Sequence, residues 1–151
     1  MKTDILIVGS GCSGLYCALN LPESRQITVI TKAGAEENDS YLAQGGMCML
    51  KDESDYQGFF DDTMKAGHYE NDEASVEIMI RSSRSVVEDL LQFGADFQRD
   101  ENGELVFTRE GDHSEKRIIF HKDVTGKEIT STLLAQAKRR SNIMLLEHTS
   151  M

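Results

Sequence analysis

Three glycines near the start of the chain have the spacing of a phosphate-binding turn. They give the pattern G-x-G-x-x-G in Gly9-Ser10-Gly11-Cys12-Ser13-Gly14. The first glycine permits a tight turn, the second lets the backbone approach a pyrophosphate, and the third lets a helix pack closely on a strand. Because three glycines carry a conformational cost that a plain βα turn does not require, dinucleotide binding is the favoured interpretation. Cys12 is interpreted as a small turn residue beside the cofactor.

The elements around this turn predict a βαβ unit. Residues 4–8 form an apolar run that ends at Gly9, and apolar residues then recur at helical spacing up to Pro22. Residues 27–31 predict a second strand, so strand, helix and strand fit within about 30 residues. Residues 142–147 predict a further buried strand. The expected fold class is therefore α/β, a Rossmann-like nucleotide-binding fold with a parallel sheet.

The middle of the chain predicts helical and β-hairpin insertions. Helices are expected over residues 54–66 and 72–93, the second with an apolar face that includes Met79. Short strands are expected over residues 97–120, with a turn at 101–103 and strand cores at 105–107 and 118–120. Thr125 and Glu128 match a capping box that would start another helix. We interpret residues 1–151 as one domain.

Composition excludes several classes of partner. The chain has 26 Asp plus Glu against 16 Lys plus Arg, a net charge of −10, which disfavours nucleic acid and anionic membranes. No apolar run approaches the roughly 20 residues of a membrane span. The three cysteines are odd in number and lack metal-type spacing, which indicates reduced thiols in the cytoplasm.

The end of the second predicted strand departs from the usual nicotinamide pattern. An acidic residue is expected there to bind a ribose hydroxyl, and this chain has Thr31-Lys32. Together with the glycine turn and the segment Asp39-Ser40-Tyr41-Leu42-Ala43-Gln44-Gly45-Gly46, this resembles the flavoprotein family of fumarate reductase, succinate dehydrogenase and L-aspartate oxidase. In that family Ser or Thr followed by Lys replaces the acidic residue. The resemblance implies that FAD contacts the glycine turn, Thr31-Lys32 and residues 39–46.

Asp39 and three later segments indicate which branch of this family the chain resembles. Succinate dehydrogenases and their fumarate reductase relatives carry a flavin-linking histidine where this chain has Asp39, so the resemblance implies a non-covalent FAD. Residues 108–114, Arg117-Ile118 and residues 123–126 resemble the runs R-E-G-G-H-S, R-I and D-x-T-G of the L-aspartate oxidase branch. Asp112 stands where that branch has its second glycine.

This branch implies oxidation of L-aspartate to iminoaspartate, with oxygen or fumarate as the acceptor. The product would pass to quinolinate synthase, so the reaction would open bacterial de novo NAD biosynthesis. The resemblance marks Glu110 as the residue that orients the substrate, by accepting a hydrogen bond from its ammonium group. The alternative is a turn carboxylate that is solvated or paired with Arg109 or Arg117. His113 either supports the site as a polar group or ties down its loop.

The resemblance also implies what lies outside these residues. Family members are several times longer, and their capping domain, C-terminal helical domain and proton-transferring arginine would follow Met151. We therefore expect the chain to be the N-terminal part of an FAD-binding domain, inactive alone. A fumarate reductase or succinate dehydrogenase flavoprotein and a non-catalytic nucleotide-binding module remain the alternatives. A metal site at Asp112, His113, His121 and Asp123 is rejected, because their spacing fits no zinc pattern.

Overall fold

The computed structural model describes residues 2–111 and 113–151. Within them the chain divides into two compact units. The first comprises Met1–Gln44, Phe93–Ala95 and Val124–Met151, and the second comprises Gly45–Gln92 and Asp96–Asp123. Asp112 lies outside the described residues, so its effect on the local backbone is not described. None of the helices among the described residues combines the length and apolarity that a membrane crossing needs.

The first unit is built on a three-stranded parallel sheet. Strands β1 (Ile5–Val8), β2 (Ile27–Ile30) and β5 (Ile143–Leu146) lie in the order β1-β2-β5. Ile5 pairs with Ile27, which pairs with Ile143. This arrangement confirms the predicted α/β class and all three predicted parallel strands. Helices α1 (Cys12–Asn20), α2 (Asp39–Leu42) and α5 (Thr125–Arg139) complete the unit.

The two faces of this sheet differ in how well they are covered. On one face Ile27 and Val29 are fully buried in a core with Ala18 of α1. On the other face Leu6 is 46% exposed, Val8 61% and Met144 43%. The central strand is buried along its whole length, as its continuous apolar run predicts.

The second unit is mainly helical. Strand β3 (Met47–Cys48) is followed by a 3₁₀ turn at Glu53–Asp55, by α3 (Tyr56–Ala66) and by α4 (Glu73–Phe93). Both long helices were predicted. The apolar face of α4 differs from the predicted one at two positions. Met79 is 48% exposed, and Ser83 is buried. Ser83 is tolerated in this core because its hydroxyl accepts a hydrogen bond from the Leu50 N–H and donates one to the Ile80 carbonyl.

The predicted turn at residues 101–103 is present, but the pairing around it is shorter than the predicted strands. Strand β4 (Ile118–Ile119) pairs antiparallel with β3, and residues 105–107 form no strand. Isolated bridges join Arg99 to Leu105 and Thr108 to Ile118. Short strands are assigned by their partners, and the partner of β4 lies about 70 residues earlier in the chain, where no local pattern reveals it.

The helix predicted from the capping box is present, but it begins one residue earlier than an N-cap at Thr125 would place it. The helix α5 starts at Thr125, so Val124 occupies the N-cap position and provides no side-chain cap. Thr125 is 1% exposed and lies inside the helix. Residues 33–46, predicted to be irregular, contain the single turn of α2, which Asn38 caps by accepting a hydrogen bond from the Tyr41 N–H at 3.0 Å.

Candidate functional site: the glycine turn and the Glu110 wall

The glycine turn has the geometry that its sequence predicts. Gly9 has φ +111°, a backbone conformation that residues with a side chain rarely adopt. A Cβ at Gly14 would overlap the carbonyl oxygen of Gly9, so only glycine lets α1 begin this close to β1. The first turn of α1 contains no acidic residue, and its N-cap residue Gly11 makes no side-chain capping bond. The first turn of α1 therefore contributes no negative side chain of its own that would oppose an anion.

The segment after β2 closes over this turn. The buried Ser10 hydroxyl donates to the Ala35 carbonyl at 3.0 Å, and the Asn38 amide donates to the same oxygen at 2.8 Å. The Cys12 N–H donates to the Ser40 hydroxyl at 3.2 Å. A Cβ on Gly11 would lie 3.0 Å from that hydroxyl, which is tighter than ordinary packing. Residues 35–40 and the turn thus form a cradle with no room for side chains at its centre.

Helix α5 contributes a third wall to the same unit. A Cβ at Gly126 would overlap the Ser40 carbonyl, and the Gly126 N–H donates to the Ala43 carbonyl at 2.9 Å. The Cys12 thiol lies 3.2 Å from the Thr130 hydroxyl. Sequence reasoning missed this role of Gly126, although a glycine inside the first turn of a helix signals close approach by another backbone.

The remaining predicted cofactor residues of this unit lie at its surface or at the end of β2. Thr31 is buried and continues the backbone pairing of β2 through its N–H, which donates to the Leu146 carbonyl at 2.9 Å. Lys32 is exposed, and so are the predicted flavin contacts Ser13, Asp39, Leu42, Ala43 and Gln44. Asn38 was not among the predicted residues, yet it orders the segment that carries them.

The second unit places Glu110 beside the glycine pair. A Cβ on Gly45 would lie 3.8 Å from Glu110 Oε2, and a Cβ on Gly46 would overlap the Ile118 side chain and the Ile119 carbonyl. The side chain of Glu110 makes no ion pair within residues 2–111 and 113–151. The arrangement therefore presents an exposed carboxylate at the edge of the Gly45-Gly46 turn.

Both arginines that could have paired with Glu110 bind elsewhere. The Arg117 guanidinium is fully buried and binds both carboxylate oxygens of Asp55, at 2.8 and 3.2 Å. Its Nη1 donates to Asp62, which also accepts from the Ser114 N–H and hydroxyl at 2.7 Å. The Arg109 Nη1 is 3.5 Å from the Ser114 carbonyl. Sequence reasoning missed the two carboxylates, because they lie more than 50 residues from Arg117 in the chain.

This ionic cluster shifts the titration of its members. Burial opposes the charge on Asp62, yet the hydrogen bonds from Ser114 and Arg117 outweigh it and lower the pKa of Asp62 below its ordinary value. Burial likewise opposes the charge on Arg117, but its bonds to Asp55 and Asp62 raise the pKa of Arg117. Both shifts favour the charged forms, so Asp62 and Arg117 are paired as ions at neutral pH.

His113 and Cys48 complete the wall near Glu110. The His113 ring lies with Nε2 3.4 Å from Cys48 Sγ and Nδ1 3.4 Å from Arg117 Nη1. Burial raises the pKa of the Cys48 thiol; the Arg117 charge opposes this, and the Glu110 carboxylate adds to it. The opposite effects of Arg117 and Glu110 show that both charges act on the same thiol. We name Gly45, Gly46, Cys48, Glu110 and His113 the Glu110 wall.

The residues of the first unit fit the group that the turn predicts. A pyrophosphate needs a backbone without side chains, an N-terminal helix end and no competing negative charge, and the glycine turn meets each of these conditions. The backbone of residues 9–14 would hold the pyrophosphate. No group of three or more His, Cys, Asp or Glu arranged for a metal ion was found among the described residues.

Comparison with known proteins supports the same ligand. A family model described as FAD binding domain matches residues 4–151. The chain is 45% identical to L-aspartate oxidase of Clostridium perfringens and 42% identical to that of Clostridium acetobutylicum, each over 148 residues. Both matches cover 98% of this chain and 34% of the relative, so the chain spans about a third of the length of these relatives.

Solved structures show the same fold. The quinol fumarate reductase of E. coli superposes with a TM-score of 0.92 at 22% identity, covering 98% of this chain and 26% of that one. A Mycobacterium smegmatis Sdh1 complex superposes with a TM-score of 0.86 at 24% identity, covering 98% of this chain and 28% of that one. With the glycine cradle and a family match over nearly the whole length, the chain belongs to the FAD binding domain family, and FAD is its cofactor.

Proposed function

We propose that this chain supplies the cofactor turn and the substrate-orienting carboxylate of an FAD-dependent L-aspartate oxidase. The observation that carries the proposal is Glu110, an exposed carboxylate at the Gly45-Gly46 turn that has no ion pair within residues 2–111 and 113–151. Two relatives that share more than 40% of its residues are named L-aspartate oxidase. The proposed reaction converts L-aspartate to iminoaspartate, with oxygen or fumarate as the terminal acceptor.

In this reaction the Cα–N bond of aspartate becomes C=N, and two electrons and two protons leave the substrate. Bound FAD would supply the redox chemistry, as the acceptor of the two electrons that leave Cα. Glu110 accepts a hydrogen bond from the substrate ammonium and so orients Cα. A free carboxylate is suited to this role, because hydrogen bonds between ionised groups are about twice as strong as neutral ones.

The proposal extends to how the cofactor is attached. Asp39 occupies the position at which the covalent branch of the family carries its linking histidine, and an aspartate cannot form a histidyl–flavin bond. We therefore propose a non-covalent FAD, in contact with Thr31, Lys32 and residues 39–46 as well as the glycine turn. Flavin released by denaturation would support this attachment, and flavin retained on denatured protein would refute it.

Cellular context is part of the same proposal. We place the protein in the cytoplasm, where its thiols stay reduced; Cys12, Cys17 and Cys48 form no disulfide. The iminoaspartate product would be used by quinolinate synthase, which makes the reaction the first step of bacterial de novo NAD biosynthesis. Nucleic acid and membranes are not proposed as partners, because the net charge of −10 opposes both.

The test uses a chimera in which this chain replaces the matching third of the Clostridium perfringens relative. Glu110→Gln keeps the shape of the side chain and removes its charge. We expect kcat/KM for aspartate to fall about tenfold or more, since charge-assisted hydrogen bonds contribute roughly 1.5–3 kcal/mol and ~1.4 kcal/mol is a factor of ten. Fumarate reduction should change much less, because fumarate has no ammonium group.

The matched control is Glu101→Gln, which removes the same charge from an exposed turn in the same unit. It should leave both reactions and the flavin content unchanged. An equal loss of both reactions in Glu110→Gln would show that Glu110 shapes the site without recognising the amine. A chimera that binds flavin and reduces fumarate but never oxidises aspartate would favour a fumarate reductase, and one without flavin would favour a non-catalytic module.

A further inference from the structure

The two ring nitrogens of His113 face groups that together define its tautomer. Arg117 Nη1, 3.4 Å from Nδ1, carries only donor hydrogens. Nδ1 must therefore act as the acceptor of this contact. The proton of the neutral ring then resides on Nε2, which lies 3.4 Å from Cys48 Sγ. The geometry makes the imidazole a donor toward the thiol.

This tautomer excludes one chemistry that a Cys–His pair might perform. A histidine that activates a cysteine must present an unprotonated nitrogen to the sulfur. Here the nitrogen near the sulfur carries the proton, and the raised pKa of Cys48 accords with a neutral thiol. The pair is consequently a neutral part of the wall beside Glu110.

Arg117 is immobilised by contacts on several sides. Asp55 in the 3₁₀ turn and Asp62 in α3 bind its guanidinium, and the ring of Phe59 lies with its centroid 5.1 Å from Cζ. Asp62 also holds Ser114, the neighbour of His113. The two carboxylates outnumber the single arginine charge and keep it from turning toward Glu110, which has no ion pair among the described residues.

We propose that Arg117 is a positioning residue: clamped between Asp55 and Asp62, it holds His113 as the neutral Nε2–H tautomer and leaves the Glu110 carboxylate unpaired for a cationic group of the substrate. The part that concerns the substrate rests on the function proposed for Glu110. The part that concerns His113 needs neither flavin nor substrate. If Arg117 served only to attach the loop of residues 113–117 to α3, the tautomer of His113 would not depend on it.

The first measurement is long-range ¹H–¹⁵N correlation NMR of the histidine side chains in the ¹⁵N-labelled 151-residue chain at pH 7.5. We expect His113 to show a single Nε2–H tautomer. His121 is the internal control with the opposite expectation, because its Nδ1 lies 2.6 Å from the Asp96 carbonyl oxygen, an acceptor that requires an Nδ1–H donor. A cationic or Nδ1–H His113 in the unmodified chain would overturn the proposal without any variant.

Two variants then test whether Arg117 or Cys48 determines the tautomer of His113. Cys48→Ala removes the sulfur and should leave the His113 tautomer unchanged. Arg117→Lys keeps a positive charge but loses the planar fork, so His113 should show exchange-averaged tautomers like a free imidazole. The contrary result would be loss of the single His113 tautomer in Cys48→Ala and its retention in Arg117→Lys. That result would show that the thiol and not the arginine positions His113, and the proposal would be wrong.

A third variant tests the link to Glu110 in the chimera. Asp62→Asn keeps an acceptor for Ser114 and leaves Arg117 with one carboxylate partner fewer. The freed arginine charge should compete for Glu110 and raise KM for aspartate several-fold, with an unchanged kcat and flavin content. An unchanged KM would refute the link to Glu110. Loss of aspartate oxidation in the unmodified chimera, with the tautomer intact, would instead count against the proposed function alone.

Discussion

At the scale of single residues, the important features are two glycines without a Cβ and a glutamate without an ion pair among the described residues. Gly11 and Gly14 lack a Cβ where the backbone and a neighbouring hydroxyl leave no room for one. Glu110 has no ion pair in the part of the chain that the structure describes, because its two nearest arginines in the sequence bind other groups. The glycines leave space for a phosphate, and the function proposed above assigns the ammonium group of the substrate to Glu110.

The role of Gly11 can be separated from simple packing. In the chimera, Gly11→Ala should greatly reduce the flavin content, because the new methyl group would occupy space that the pyrophosphate needs. The double variant Gly11→Ala with Ser40→Ala removes the 3.0 Å contact with the Ser40 hydroxyl. Flavin absorbance of the purified proteins is the measurement. If the double variant regains normal flavin, the clash lies within the protein and not with the ligand.

The thiol of Cys48 reports the charge of Glu110. Because the Glu110 carboxylate contributes to the raised pKa of Cys48, Glu110→Gln should lower that pKa and accelerate alkylation by iodoacetamide at pH 8. Mass spectrometry of the digested chain separates Cys48 from the exposed Cys17, which serves as the reference. An unchanged Cys48 rate with an unchanged Cys17 rate would mean that Glu110 lies too far from the thiol to act on it.

At the scale of elements, contacts between helix starts and loop carbonyls shape the first unit. Helix α5 begins against the segment that contains α2, and Gly126 is the contact point. Helix α1 begins against Ser40 of the same segment. A single-turn helix of four residues is not stable alone, so α2 depends on these two neighbours for its position.

Gly126→Ala should therefore destabilise the chain although alanine is the better helix former. The added Cβ would overlap the Ser40 carbonyl oxygen, and forced overlaps of this kind cost about 1–3 kcal/mol. Ser131→Ala in the same helix is the control and should change the free energy of unfolding by no more than about 0.5 kcal/mol. Urea denaturation followed by circular dichroism measures both. A stabilised Gly126→Ala chain would show that α2 moves aside.

At the scale of the whole molecule, charge is the dominant feature. The net charge of −10 is carried by a chain in which the buried Arg117 is paired with two of the 26 acidic residues, Asp55 and Asp62. Most of the other carboxylates are at the surface, where ion pairs such as Arg81 with Glu77 contribute little. The buried cluster is therefore the part of the charge distribution on which folding most depends.

Stability should fall in acid for this reason. The pKa of Asp62 is lower in the folded chain than its ordinary value, so its contribution is present above the unfolded value of about 3.9 and is lost as the pH falls through the folded pKa. The free energy of unfolding should thus decrease from pH 5 toward pH 3. Asp62→Asn should flatten this dependence, and Asp61→Asn, a change at the neighbouring exposed residue, should not. Equal slopes for all three chains would remove Asp62 from the acid response.

Local patterns were sufficient where a structure depends on neighbours in the chain. The glycine turn, the βαβ start and helix α4 follow from short-range spacing and apolar periodicity, and each is present as predicted. The resemblance carried by residues 108–114 singled out Glu110 without any knowledge of its surroundings. The turn, the βαβ start and α4 could be predicted because their physical causes, backbone conformation and helical periodicity, act over a few residues.

Tertiary structure alone supplied the features that join distant residues. The pairing of β4 with β3, the close approach at Gly126 and the binding of Arg117 to Asp55 and Asp62 link positions from 55 to more than 80 residues apart. In the sequence, these partners cannot be distinguished from many other short apolar runs, glycines and carboxylates. Which of them meet is set by burial, since an arginine withdrawn from water must be paired and a buried strand must complete its hydrogen bonds.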